Sequence, residues 1–430
     1  MTEDGKKGLK RELGLFEVTL SGIGIILGAG IYALIGKAAG MAGNAVWISF
    51  GLAALIAVFT GLSYAELSSI FPRASAEHEY TRRAFGHAIA FVVGWMIIFS
   101  GIIGAATVAL GFGGYFDALT GLPVIPSAIL LLLALSLVLF WGIKISAWFA
   151  IVFTFIEALG LLMVIYIGLP RLGSVDYFEM PHGIDGVFGA AALIFFAYMG
   201  FEEMVKLSEE TRDPERNIPL ALILALAVTI VLYMLVAVSV VSVVPWEVLA
   251  ASDAPFAEVA AEALGPEAFV VISVIALFAT ANTVLLMLLA SSRIAYGMAE
   301  SSSMPGLLAA VHPARRTPWA AIIVVVLLSI AFVFSGDIAF VASANDFILF
   351  VTFIVINGSL IYLRYKDPDR PRPFRVPLAI RRLPVLPVFG ISTCIFLTFH
   401  LDLAAVLFGS GIALVGGLLA LIFRRKLHEK

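Results

Sequence analysis

Long apolar runs separated by short polar turns govern this chain. Runs of about 20 apolar residues, the length that crosses a bilayer as a helix, lie near 14–36, 44–70, 87–116, 124–143, 147–169, 187–207, 218–243, 267–298, 318–335, 338–363, 383–400 and 403–423. They predict an all-α polytopic membrane protein with about twelve transmembrane helices, because a helix satisfies its own backbone hydrogen bonds in lipid. A polar segment, 1–13, precedes the first run, and a basic tail, 424–430, follows the last. The start of the chain lacks a small-residue cleavage pattern, so no removable signal peptide is expected. No polar stretch is long enough for a second domain. The largest, between the seventh and eighth runs, has room for a short surface helix, and FPRASAEHEYTRRAFG (71–86) reads as a solvated polar connector or a gate.

Two of the runs do not read as unbroken helices. In the first, GIGIILGAG (22–30) holds Gly22, Gly24, Gly28 and Gly30. Each glycine costs roughly 1 kcal/mol against alanine in a helix interior. Gly24 and Gly28 alone would supply the G-x-x-x-G spacing that packs helices closely. The other two go beyond that need, and favour an unwound segment that lets a ligand approach the backbone. In the sixth run, FFAYMGFEE (195–203) meets Gly200 and then two carboxylates, and continues to Pro214 and Pro219, which start the next helix. The two interruptions occupy corresponding positions in two groups of five helices, about 14–169 and 187–363, with extra helices at about 383–423. Paired interrupted spans of this kind mark the midplane site of a transporter. A broken helix frees N–H groups at one end and C=O groups at the other. These suit the carboxylate and the ammonium of an amino acid without any charged side chain.

Composition agrees with lipid as the main solvent. Hydrophobic residues make up 61% of the 430 and charged ones only 13%, against about a quarter charged in soluble domains. The placement of charge says more than its sum. Lys6, Lys7, Lys10, Arg11, Arg73, Arg82, Arg83, Lys144, Lys206, Arg212, Arg216, Arg293, Arg315, Arg316, the loop from Arg364 to Arg382 and the tail all fall on the N-terminal side of a twelve-helix alternation. Only Lys37 and Arg171 fall opposite, among Asp176, Glu179, Asp185, Glu247, Asp253, Glu258, Glu262 and Glu267. The positive-inside rule then puts both termini in the cytoplasm of a cell with a multi-pass protein in its cytoplasmic membrane.

Ionisable groups inside spans are functional candidates by default. Glu157 stands alone in AIVFTFIEALGLLMVIYIG, and Glu202 sits just past the second interruption. Both are candidates for proton coupling; Glu202 could instead brace the break. Glu203 and Glu66 lie nearer the edge, solvated or paired with an arginine. Tyr198, Asn282 and Thr283 are polar points that face either the pocket or a neighbouring helix. One cysteine, Cys394, excludes an internal disulfide, and the six histidines show no metal-ligand spacing. Nothing implies a cofactor, a metal or a nucleic-acid partner.

GIGIILGAGIYALIGKAAGMAG (22–43), FFAYMGFEEMVKLSEETRDPERNIPLAL (195–222), SSRIAYGMAESSSMPGLLAAVHPARRTPWAA (291–321) and RPFRVPL (372–378) together resemble the signatures of the amino acid–polyamine–organocation superfamily. Its prokaryotic cationic amino acid transporter-like branch is the most similar part. The resemblance covers nearly the whole chain. It implies a five-plus-five inverted repeat and alternating access. It also implies a substrate carboxylate near Gly28, Ala29 and Gly30, an amino group at carbonyls near Ile25, Phe196 and Met199, and a side chain near Met287. That branch commonly carries a lysine where this chain has Glu157, so the charge is reversed.

These readings lead to one expectation: a non-enzymatic secondary transporter of amino acids, coupled to protons rather than sodium. Uncoupled or sodium-coupled exchange and a non-transporting amino acid sensor are the alternatives. Phe196, Met199 and Met287 suggest a neutral substrate, although an aromatic face also suits a cation.

Overall fold

The computed structural model describes residues 11–72, 76–141, 143–300, 304–313 and 315–422, the side chains of 143–151 excepted. Lys6, Lys7, Lys10, Arg73, the Lys144 side chain and the basic tail 424–430 lie outside the described residues.

The chain runs α1 (Leu15–Ile26), α2 (Gly30–Ala42), α3 (Val46–Ile70), α4 (Ala76–Phe85), α5 (His87–Thr120), α6 (Val124–Trp141), α7 (Ile143–Gly168), α8 (Gly183–Ile194), α9 (Pro214–Val243), α10 (Trp246–Ala251), α11 (Pro255–Leu264), α12 (Pro266–Glu300), α13 (Trp319–Val333), α14 (Ile338–Lys366), α15 (Val385–Thr398) and α16 (Leu403–Ile422). A two-stranded hairpin, β1 (Ala379–Ile380) and β2 (Leu383–Pro384), joins α14 to α15. Nine helical segments among the described residues are long and apolar enough to cross a membrane, and three shorter apolar helices accompany them. One of the nine, Gly30–Ile70, contains the turn at Gly43 that separates α2 from α3. Taking α1 with α2 as the first span and α8 with its extension as the sixth gives the twelve expected spans: α1–α2, α3, α5, α6, α7, α8, α9, α12, α13, α14, α15 and α16.

Local chemistry sets the ends. Pro214 opens α9, where its missing N–H costs nothing. The Asp337 carboxylate caps α14 by accepting from the amides of Ala339 and Phe340 at 2.9 and 3.1 Å. The outer surface is inverted relative to a soluble protein. Leu130, Leu133 and Leu137 of α6, and Phe155, Leu159, Leu162 and Tyr166 of α7, form exposed apolar stripes at helical spacing. Such continuous stripes are lipid-facing surfaces.

Two expectations change. The connector 71–86 is not simply solvated: it holds α4, which packs against α5 and α14 and buries Glu77, Tyr80 and Thr81. The loop between the seventh and eighth spans holds two helices rather than one: α10 is the short surface helix, anchored by one residue, and α11 is packed into the bundle. Leu249 of α10 and Phe256 of α11 are fully buried, α10 against α2 and α11 against α12.

Packing partners carry over when a span is exchanged for the one five places later. The second span packs on the seventh and the third on the eighth. The fifth packs on the eighth, as the tenth packs on the third; the first packs on the seventh, as the sixth packs on the second. The two opposed cations, Lys37 and Arg171, stand 4.0 and 3.9 Å from Asp253 and Glu262.

Candidate substrate site

The first span unwinds over Leu27–Ala29, between α1 and α2. The four glycines divide in role. Gly22 and Gly24 stay helical and are small because Met204 and Thr154 pack where a Cβ would stand, 2.5 Å from the Met204 sulfur and 2.6 Å from a Thr154 methyl. Gly28 and Gly30 flank the break itself. Tyr233 donates to the Ile26 carbonyl at 2.8 Å, and the Ala29 amide donates to Thr283 Oγ1 at 2.9 Å. The amides of Gly28, Gly30 and Ile31 have no acceptor among the described residues, and the Ile25 carbonyl has no donor. The break thus presents free donors and a free acceptor.

The sixth span breaks at Met199–Gly200. A 3-10 turn, Phe195–Tyr198, ends in an extended Met199 and in Gly200 at φ +110, after which a second 3-10 stretch runs Phe201–Glu209. Only glycine adopts that φ without strain. Glu202 Oε2 accepts the Gly200 amide at 2.9 Å, so Glu202 braces the break. The Phe196 carbonyl accepts the Met199 amide at 3.3 Å. Tyr198 donates to the Phe50 carbonyl at 3.1 Å and serves as interhelical glue. The two breaks touch: a Cβ on Gly30 would fall 2.8 Å from the Cα of Ala197.

A cavity of about 440 Å³ opens between them. Ile25, Gly28, Gly30, Phe196, Met199, Met287 and Glu202 line it, as do Asn282 and Thr283. Ala29 does not line it; its amide is engaged by Thr283. The remaining wall is mainly apolar, including Ile97, Gly101 and Leu286. Toward the basic side of the molecule the cavity passes Glu77, Glu203, Lys206 and Arg293. On the acidic side Tyr115 donates to the Tyr32 carbonyl at 3.1 Å, and its hydroxyl accepts the Phe256 amide at 3.4 Å. The rings of Tyr32 and Phe256 meet edge to face at 4.8 Å. That end is sealed by packed aromatic groups.

Glu157 stands behind the first break, outside the cavity lining. Its backbone carbonyl accepts from Tyr32 at 2.7 Å, and neither carboxylate oxygen has a hydrogen-bond partner among the described residues. Asn282 bridges to the same helix, its amide on Thr154 Oγ1 at 3.2 Å. Asp346 in α14 is a carboxylate that sequence reasoning missed. It is fully buried, neither of its oxygens makes a hydrogen bond of ordinary length and angle among the described residues, and it lies near the Phe196 backbone of the sixth break. The signal was available: Asp346 is the single acidic residue within the apolar run 338–363. Glu157 on the fifth span and Asp346 on the tenth stand behind the first and sixth breaks respectively.

The edge carboxylates are paired. Glu203 binds Lys206. Glu66 is fully buried; it accepts from Arg364 Nε at 2.9 Å, Arg364 Nη2, Arg372 Nη1 at 3.0 Å and the Val376 amide at 2.7 Å.

Residues 13–417 match the family described as amino acid permease. The branched-chain amino acid permease of Bacillus subtilis is 31% identical over 99% of this chain and 95% of its own. The methylthioribose transporter of the same bacterium is 32% identical over 92% and 89%. Human cationic amino acid transporter 4 is 30% identical over 84% of this chain and 61% of its own.

Proposed function

Because the chain belongs to the amino acid permease family, within the amino acid–polyamine–organocation superfamily, we propose that it is a secondary transporter carrying neutral amino acids across the cytoplasmic membrane by alternating access. Both termini are cytoplasmic in this reading, and the two groups of five spans act as inverted repeats.

One observation carries the reading. The amides of Gly28 and Gly30 and the Ile25 carbonyl, unbonded among the described residues, meet at a single mainly apolar cavity. The amides suit a carboxylate at a half-helix start, and the carbonyl suits an ammonium. Phe196, Met199 and Met287 then receive an apolar side chain. The similarity to a branched-chain amino acid permease supports an aliphatic cargo.

Coupling falls to Glu157. Glu202 Oε2 accepts the Gly200 amide, whereas the Glu157 carboxylate, with the Asn282 side chain nearby, makes no hydrogen bond or ion pair among the described residues. An unpaired buried charge costs several kcal/mol. Taking up a proton removes that cost, and the geometry behind the first break would couple it to the pocket.

Purified protein, screened by thermal shift against the standard amino acids, should gain stability with aliphatic ones. Proteoliposomes should then accumulate the best ligand under a pH gradient. Accumulation driven only by a sodium gradient would replace the coupling ion, and ligand binding without any flux would reduce the protein to a sensor.

A further inference from the structure

A second polar recess, of about 230 Å³, lies apart from the substrate cavity at the end of α14 and the turns that follow it, on the basic side. Pro368 and five arginines line it: Arg364, Arg370, Arg372, Arg375 and Arg382. Among the described residues, two carboxylates pair with three of the five guanidiniums. Glu66 takes Arg364 and Arg372, and Asp367 stands 3.4 Å from Arg370. Arg375 and Arg382 are exposed and have no ion-pair partner among the described residues. Arg364 is 2% exposed, yet its Nη1 has no hydrogen-bond acceptor among the described residues. An unsatisfied buried guanidinium N–H costs free energy, and here it belongs to a recess that already carries surplus positive charge.

The arginines are held in place. Arg370 stacks over Phe71 with 4.4 Å to the ring centroid. Arg372 donates from Nη2 to the carbonyls of Leu363 and Asp367 at 3.1 and 3.2 Å. The β1–β2 hairpin presents Arg382 from a tight turn in which Arg381 adopts φ +59. A planar guanidinium fork matches the oxygens of a phosphate. Beside the recess the same hairpin exposes Leu378 and Ile380, at 67% and 68%. Large apolar side chains next to arginines, just before a membrane span, fit the boundary between headgroups and acyl chains rather than bulk water.

We propose that this recess binds the phosphate headgroup of an anionic phospholipid from the leaflet on the basic side, with its acyl chains against Leu378 and Ile380. Basic pockets on the cytoplasmic side of membrane bundles hold such headgroups by charge and by desolvated hydrogen bonds. The site is independent of the transported solute. Its ligand would tie together the second span, through Glu66, and the segment that leads into the eleventh.

The full chain, purified in detergent, is heated with phosphatidylglycerol, phosphatidylcholine or inorganic phosphate, and retained lipid is counted by native mass spectrometry. Phosphatidylglycerol should raise the midpoint by several degrees and stay bound several-fold more often than phosphatidylcholine; inorganic phosphate should do neither. The variant Arg375→Gln/Arg382→Gln should unfold at the wild-type midpoint without lipid and lose the lipid-dependent rise. The variant Leu378→Ser/Ile380→Ser keeps all five guanidiniums and should lose retained phosphatidylglycerol. An equal rise in wild type and the arginine variant overturns the site. An equal rise with inorganic phosphate, or undiminished retention in the Leu378/Ile380 variant, overturns the lipid as its ligand.

Discussion

The carbonyl oxygen of Ile25 stands where any side chain on Gly200 would have to go: a Cβ there falls 2.7 Å from that oxygen. Gly200 also holds φ +110. Gly200→Ala therefore meets backbone strain of about 1–3 kcal/mol and pushes the two breaks apart. We expect the variant to insert in the membrane but to lose substrate-induced thermal stabilisation and at least ~10-fold in uptake rate. Wild-type uptake by this variant would show that the contact is incidental.

Glu157→Gln preserves volume and removes the ionisable group. Gradient-driven accumulation should vanish while exchange of labelled for unlabelled substrate across the proteoliposome continues. Asp346→Asn, behind the other break, should shift transport in the same direction, because its carboxyl likewise has no side-chain partner among the described residues and lies beside the Phe196 backbone. Accumulation at the wild-type level in both variants would remove these carboxyls from the coupling scheme.

Glu66→Gln leaves two guanidiniums facing a neutral amide. Breaking a buried pair from one side costs about 3–5 kcal/mol. The expected result is a marked fall in the thermal midpoint or in folded yield, without a change in which amino acids stabilise what remains. A melting curve indistinguishable from wild type would argue that water replaces the lost charge.

Glu77, on α4 outside the spans, has its acid form favoured: burial is the main cause, Glu203 adds to it, and Lys206 opposes it, so its pKa is raised above the ordinary carboxylate range. Between the ordinary and the raised value the folded state binds more protons than the unfolded one. Stability is therefore highest below the ordinary value and falls as pH rises through the raised one. Glu77→Gln should flatten that slope and make the protein more stable than wild type at the alkaline end. Thermal midpoints of both proteins from pH 4 to pH 8, about the range over which carboxylates titrate when buried, check the sign.

The spans were legible because lipid imposes a simple demand: enough apolar length, with every backbone group satisfied inside the helix. What the sequence hid depends on contacts distant along the chain. The glycine-rich run located the first break, but only Met204 and Thr154, contributed by other spans, reveal that Gly22 and Gly24 serve packing. The helix α4 was masked by His78, Glu77, Glu79, Arg82 and Arg83, whose charges read as a solvated loop although Glu77 is buried. Glu66 offered pairing among its options, yet its partners lie about 300 residues away, at Arg364 and Arg372. Asp346 was legible as the single acidic residue of the run 338–363; its place beside the Phe196 backbone of the sixth break, about 150 residues away along the chain, was not. Its amide neighbour, Asn345, reaches Met199 Sδ at 2.9 Å, a contact no periodicity could give.

The cavity runs to the basic side while Tyr32, Tyr115 and Phe256 seal the other. In the importer proposed above, with the basic side cytoplasmic, a carrier in this posture meets the pool it fills before it meets the pool it draws from. As solute accumulates on the basic side, it occupies the pocket and holds the carrier there, so fewer empty carriers return. Import would then be throttled by its own product, a brake set by pocket affinity and posture alone, with no separate regulatory domain.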